Sequence, residues 1–308
     1  MTAQDPAMLT APAAPRSARR PLALLSDRKA LAGAIILLLA AAIALLAPVV
    51  APGDPNDFVG RPNQPPSALF WFGTTSSGQD VLAQTVWGSR ISLSAGVLVG
   101  ILTTALGTLV GMTAGYVRGR VDEVLSLVVN VFLIMPSLPL LIVLAAFLPP
   151  GHATIVLVLT VTGWAWPARV LRAQTLALRE KDFVIAAEML GESRLRIVFV
   201  EILPNMLSIV AASFVGSVVY GIGAQAGLEF IGLGDTSAVS WGTNLYWAAN
   251  NSSLLTGAWW TFVPSGACIA IVAFAFSLLN YAIDELTNPR LRSQRSLRRA
   301  MRRRRRGA

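Results

Sequence analysis

The sequence predicts an all-α integral membrane protein with six transmembrane helices and both termini in the cytoplasm. Three observations carry this. Apolar residues fill 54% of the 308 positions and charged residues only 13%, whereas about a quarter of a soluble domain is charged. Five stretches, 30–53, 91–117, 124–168, 202–228 and 236–283, contain no Asp, Glu, Lys or Arg. Each exceeds the roughly 20 residues that cross about 30 Å of hydrocarbon. With the N-terminus inside, 23 of the 25 Lys and Arg fall on the cytoplasmic side, and only Arg61 and Arg90 fall outside. The inverted topology reverses that count, so the positive-inside bias selects N-in, C-in.

Residues 1–29 are rich in Ala, Pro and Arg, lack a hydrophobic period, and read as a disordered basic cytoplasmic tail. The first span, about 31–51, is too long for a signal-peptide core and stands too far from the start, so it is retained. It forms one unit, 30–90, with an external segment carrying Pro55, Pro62, Pro65 and Pro66. Spans two to six form a core over 91–286. The second, 91–116, carries Gly96, Gly100, Gly107, Gly111 and Gly115, a spacing that lets helices approach closely. The third and fourth, 124–147 and 153–173, are separated by LPPGH at 148–152, a turn signal. Pro136 and Pro139 kink the third. A kink at membrane depth fits a pathway-lining helix and a packing bend equally. The fifth and sixth are 204–228 and 259–283, the latter preceded by the polar stretch SWGTNLYWAANNSS. An Arg-rich cytoplasmic tail, 287–308, closes the chain. The net charge of +9 gathers in these two tails beside the spans, which suits anionic lipid and gives no reason to invoke nucleic acid.

Several chemistries are missing. Neither lysine, Lys29 or Lys181, follows Gly, so there is no G-x-x-x-x-G-K-[ST] phosphate cradle. One His (His152) and one Cys (Cys268) make neither a metal cluster nor an internal disulfide. The span cores are almost free of ionisable groups. Glu229, near the outer end of span five, is the exception and reads as a solvated or hydrogen-bonded side chain rather than a proton relay. The chain looks like a pathway without a motor, with no catalytic residue, metal or cofactor of its own.

One charged insert interrupts the oily core, KDFVIAAEMLGESRLRIVFVEILPN from Lys181 to Asn205, within a loop over 174–204. Phe183, Ala186, Ala187 and Leu190 recur at helical spacing from Asp182, giving one shallow apolar face. Gly191 suits a helix C-terminus. Glu192 and Arg196 are spaced for an i,i+4 pair on a second helix, and Pro204 falls at the first turn of span five. This is a helix–Gly–helix elbow, either docked on a partner or lying on the headgroups.

AAEMLGESRLRIVFVEILPN resembles the "EAA" loop of ABC importer permeases. FGTTSSGQDVLAQTVWGSRISL, AGYVRGRVDEVL, VLRAQTLALREKDFVIAA, LEFIGLG with SWG, and the closing NPRLR are similar, in that order, to the C-type permease of dipeptide/oligopeptide importers. The resemblance covers residues 30 to 292. It implies a type I importer (MetI-like) permease fold in a bacterial inner membrane. It also implies a second homologous permease, two cytoplasmic ATPases that bind ATP and Mg, and an external substrate-binding protein. Asp182, Phe183, Ala186, Ala187, Leu190, Gly191, Glu192 and Arg196 would then touch an ATPase. Trp241, Tyr246, Trp247, Asn250 and Asn251 would face the binding protein, with an aromatic membrane belt as the other reading of the external tryptophans. Pro136, Pro139, Gln225 and Glu229 are the pathway candidates. Ile185 stands where the motif's name expects Glu. Gln225 stands where peptide permeases carry Glu, and Glu229 where they carry Ser, so oligosaccharide import is the second reading and a Glu229-driven carrier the third.

Overall fold

The computed structural model describes the backbone over residues 28–287 and side chains over 28–283. The two basic tails lie outside these limits, apart from Arg28, Lys29 and Thr287. Helix α1, Arg28–Leu45, is followed by a short α2, Ala47–Val50, with Pro48 in its first turn. The external segment that follows has little regular structure but is pinned. Thr74 donates through Oγ1 to Arg61 O at 2.6 Å and accepts from Gln64 N at 2.8 Å, and its carbonyl accepts from Trp260 Nε1 at 3.1 Å.

Helix α3 runs Val81–Val117, ten residues longer at its start than the sequence predicts. Arg90 ended the charge-free run, yet it lies inside the helix with its guanidinium 5.3 Å from the Trp87 ring centre. The true start signal is Asp80, whose carboxylate accepts from Leu82 N at 2.9 Å. Arg118 and Gly119 both hold positive φ and reverse the chain into α4, Gly119–Ile134. Helix α5, Ser137–Phe147, leaves α4 at 90°. The predicted third span is therefore two helices at a right angle, a far sharper break than a kink. Pro136 sits at the junction, and Pro139 falls in the first turn of α5, where no intrahelical N–H bond is required.

Helices α6, His152–Gly163, and α7, Ala165–Arg179, meet at 40°. Pro167 causes this bend, since its ring excludes the carbonyl four residues back, that of Gly163. Helix α8, Asp182–Met189, is the elbow's first arm. The second arm opens as α9, Arg194–Arg196, passes through one π-helical stretch at Ile197–Ile202, and continues as α10, Leu203–Phe230. From Arg194 to Phe230 this is one 37-residue helix, so the fifth span begins ten residues before its predicted start. Pro204 does not begin it; the widened turn before Pro204 makes room for the ring within a continuing helix. After α10 comes α11, Trp241–Asn250, then a 3₁₀ turn at Trp259–Thr261 and α12, Val263–Thr287. Among the described residues four helices are long and apolar enough to cross a membrane, and the two bent pairs bring the number to six.

Helix α3 is the central post. A Cβ on Gly107 would stand 2.7 Å from Pro167 Cβ, on Gly111 2.5 Å from Ala168 O, and on Gly115 2.8 Å from Arg172 O. Nearer the start of α3, on the same small-residue stripe, Gly96 meets Ile222 and Gly100 meets Val218, which sets α3 antiparallel to α10. Side chains are missing where backbones touch, so contact there is close enough for dispersion to hold the helices without a hydrophobic drive in lipid. Helix α1 packs on α12 in the same manner, through Gly33 against Ala275 O.

Candidate coupling elbow and translocation face

The elbow sits at the bundle end that the charge pattern assigns to the cytoplasm. Helix α8 closes in a Schellman motif: Glu192 N donates to Ala187 O and Gly191 N to Glu188 O, both at 3.1 Å. Gly191 supplies the required φ of +76°. Ser193 then caps the second arm, accepting from Arg196 N at 3.4 Å, and Arg196 Nε lies 3.1 Å from Glu192 Oε2. The predicted spacing is thus realised as geometry. Both charges of that pair are substantially exposed, so it orients the turn more than it stabilises it.

The face of α8 divides differently from its sequence pattern. Val184 is fully buried and Ala187 nearly so, packed with Met112, Tyr116, Leu171, Ile197, Ile202 and Met206. Tyr116 Oη donates to Glu188 Oε1 at 3.1 Å, and Arg179 Nη1 donates to Tyr116 O at 2.5 Å. Ala187 therefore faces its own core, which corrects the expectation that it faces a partner. Phe183, Ile185, Ala186, Met189 and Leu190 face outward, with Leu190 and Met189 each 83% exposed. Asp182 is exposed at the helix start. Val184, Ile185 and Met189 were missed, although Val184 and Ala187 share an i,i+3 spacing that could have marked the inner face.

Two ion pairs brace the base. Arg172 reaches Asp122 through Nε at 2.5 Å and Nη2 at 2.7 Å, joining α7 to α4, and Arg118 meets Glu180 at 2.8 Å. The first is bidentate and largely shielded, the geometry in which a guanidinium fixes orientation best.

A cavity of 640 Å³ opens beside α10 at membrane depth. Its α10 wall is Ser208, Ala212, Ser213, Gly216, Ser217 and Tyr220, small or polar residues at helical spacing, together with Ile209. Thr162, Trp166 and Asn280 face them. Tyr220 Oη lies 3.3 Å from Thr162 Oγ1, and Asn280 Oδ1 is buried without a partner. Pro136 and Pro139 are exposed, and the neighbours of Pro136, Met135 and Ser137, form part of this wall. Gln225 and Glu229 do not line it. They are buried on another face of α10, where Glu229 accepts from Gln225 Nε2 at 3.0 Å and from Ser240 Oγ at 2.5 Å. Glu229 packs against Gly242 and ties α10 to α11, so its place is an inter-helix clasp rather than the cavity. The serines of α10 were overlooked because small residues in an apolar run carry no amphipathic signal.

At the outer end α11 is a helix that the sequence did not predict. Ser240 and Thr243 form a reciprocal capping box over its first turn. Trp241 is 2% exposed and donates through Nε1 to Thr85 O at 3.0 Å. It is a core residue, which corrects its expected external placement. Trp247 and Asn250 are exposed, Tyr246 and Asn251 partly so.

Together these features define a polytopic helical membrane protein, with a cavity beside α10 and a short helix displayed at one end. A family described as binding-protein-dependent transport system inner membrane component matches residues 107–293, and one described as the N-terminal TM domain of oligopeptide transport permease C matches 18–66. The dipeptide transport system permease protein DppC of Bacillus subtilis is 33% identical over 270 residues, 86% of this chain and 83% of its own. The oligopeptide transport system permease protein OppC of Mycobacterium tuberculosis is 32% identical over 282 residues, 90% of this chain and 95% of its own. The chain belongs to the inner membrane components of binding-protein-dependent transport systems. A solved chain of the MetNI methionine ABC transporter, in inward-facing conformations, shares the fold at a TM-score of 0.52, covering 65% of this chain and 96% of that one at 20% identity.

Proposed function

We propose that this chain is a permease subunit of an ATP-driven importer of dipeptides or oligopeptides. In that assembly it forms the path with a second permease, two cytoplasmic ATPases hydrolyse ATP with Mg, and an external binding protein delivers the solute. The observation that carries this reading is α8. A short helix anchored by Val184 and Ala187 and ended by Gly191 leaves Phe183, Ala186, Met189 and Leu190 exposed on the surface. An isolated chain gains nothing from exposing that face, whereas a groove on an ATPase would cover it. The cavity beside Ser213, Ser217 and Tyr220 supplies the path. The names of the relatives supply the solute class.

The test is ATP-dependent uptake of a labelled dipeptide by proteoliposomes holding all subunits. Ala186→Glu, on the exposed face, should leave the melting temperature unchanged yet abolish ATPase co-purification and uptake. Ala187→Glu should instead lower the melting temperature, because it buries a charge within the elbow. Normal uptake by Ala186→Glu would remove the docking role from α8.

A further inference from the structure

A second cavity, of 340 Å³, lies at the outer end between the external segment and α11. It is separate from the path beside α10 and shares no lining residue with it. None of its lining residues is ionisable, an unusual composition for a water-facing cleft. The polar part of the wall is carboxamides and hydroxyls, among them Asn56, Gln79, Gln84, Asn244 and Asn251, and Phe58, Trp247, Val81, Val239 and two alanines supply a larger apolar part. Carboxamides and hydroxyls both donate and accept, so they match a ligand whose own groups do both.

Of the neighbouring carboxylates, Asp57 is exposed between Asn56 and Phe58, and the other three are engaged. Asp80 caps α3, Asp54 accepts from Asn56 N, and Asp235 accepts from Ser237 N and Oγ. The Ser237 bonds hold the Asp235 carboxyl below its ordinary range. The walls are also fixed before any ligand arrives. Gln84 Nε2 donates to Pro55 O and Gln79 Oε1, Thr243 is locked in its capping box, and Trp247 Nε1 is spent on Thr236 O. Trp247 thus offers its ring rather than its N–H. One wall residue stays unsatisfied: Asn244 is 8% exposed, donates through Nδ2 to Gln84 O and Ser265 Oγ, and leaves Oδ1 without a partner.

We propose that this outer cavity binds a neutral, hydroxyl-rich solute of sugar type. Sugar C–H faces stack on a tryptophan or phenylalanine ring while their hydroxyls exchange hydrogen bonds with the amide wall. The volume lies at the small end of the range for ligand pockets. A zwitterionic peptide would bring two charges to a wall that has none to answer them. The site is independent of which solute crosses the membrane, so it goes beyond the import reading and does not rest on it.

Saturation-transfer NMR on the full chain in lipid nanodiscs tests it, with maltose as the neutral probe and dialanine as the zwitterionic one. Maltose should give saturation transfer and dialanine none. Trp247→Ala should weaken maltose binding at least tenfold, and Ser77→Trp, at the exposed rim, should abolish it by filling the cavity. Circular dichroism and melting temperature should stay unchanged in both variants. No transfer to maltose, or equal transfer in wild type and Ser77→Trp, would mean a hydrated cleft only and would overturn the proposal. Transfer to dialanine in preference to maltose would overturn the neutral class. Dipeptide uptake by the complete importer is read separately, and its failure leaves this result untouched.

Discussion

Gly191 holds a φ of +76° with no atom within 4 Å of the position a Cβ would take. The demand there is conformational alone, so alanine fits the space and still strains the backbone by about 1–2 kcal/mol. Gly191→Ala should therefore raise amide exchange across 187–196 by roughly tenfold while leaving global melting unchanged, as hydrogen-exchange mass spectrometry would show. Equal protection in wild type and variant would mean that the turn does not need its left-handed residue. This site was legible because its signal is local: a glycine ending a helical period, then an i,i+4 charge pair. Ala187 and Trp241 were not legible. Which way each points depends on neighbours far along the chain, Tyr116 and Leu171 for the alanine cluster and Thr85 for the indole.

Among the elements, α3 shows how small residues set geometry. A Cβ on Gly111 would meet the Ala168 carbonyl at 2.5 Å, and backbone cannot move aside as a side-chain tip can. Gly111→Val should push α7 away from α3, loosen the Arg172–Asp122 pair beneath it, and lower the melting temperature by several degrees in fluorescence-detected size exclusion. Gly216→Val, where no atom lies within 4 Å, should leave that temperature nearly unchanged and serves as the control. The long apolar helices were readable from hydropathy because lipid demands them. Their ends were not, since charge-free runs mark the hydrocarbon and helices continue past it; Asp80 and Ser193 are the caps that the run lengths hid. Helix α11 was missed because its polar residues satisfy one another inside the protein, which reads in sequence as a loop.

For the whole molecule, the charge asymmetry makes a checkable statement of orientation. In a Cys268→Ala background, Leu255→Cys should react with a membrane-impermeant maleimide in intact spheroplasts, and Met189→Cys only after lysis. Both positions are more than four-fifths exposed, so access alone decides the labelling. The opposite pattern would invert the topology. Orientation was the most legible global property, resting on 25 basic residues rather than on any one. The cavity beside α10 was the least, because it exists only where four separated segments meet.

The stagger between the two 37-residue helices ties the ends of the molecule together. Gly96 opposite Ile222 and Gly100 opposite Val218 fix the register. In it, Val81–Val117 overhangs the other helix by about seven residues on the outside, and Arg194–Phe230 overhangs by about as many on the inside, roughly 10 Å at either end. Each overhang carries one short helix. The outer ledge holds α11 through Thr85, Gln84 and Gly88, and the inner ledge holds α8 against Ile197 and Ile202. A slip of one turn along the Gly96–Gly100 seam would lengthen both ledges together or shorten both together. The two aqueous surfaces of the protein are therefore built on a single sliding measurement, made in the middle of the membrane.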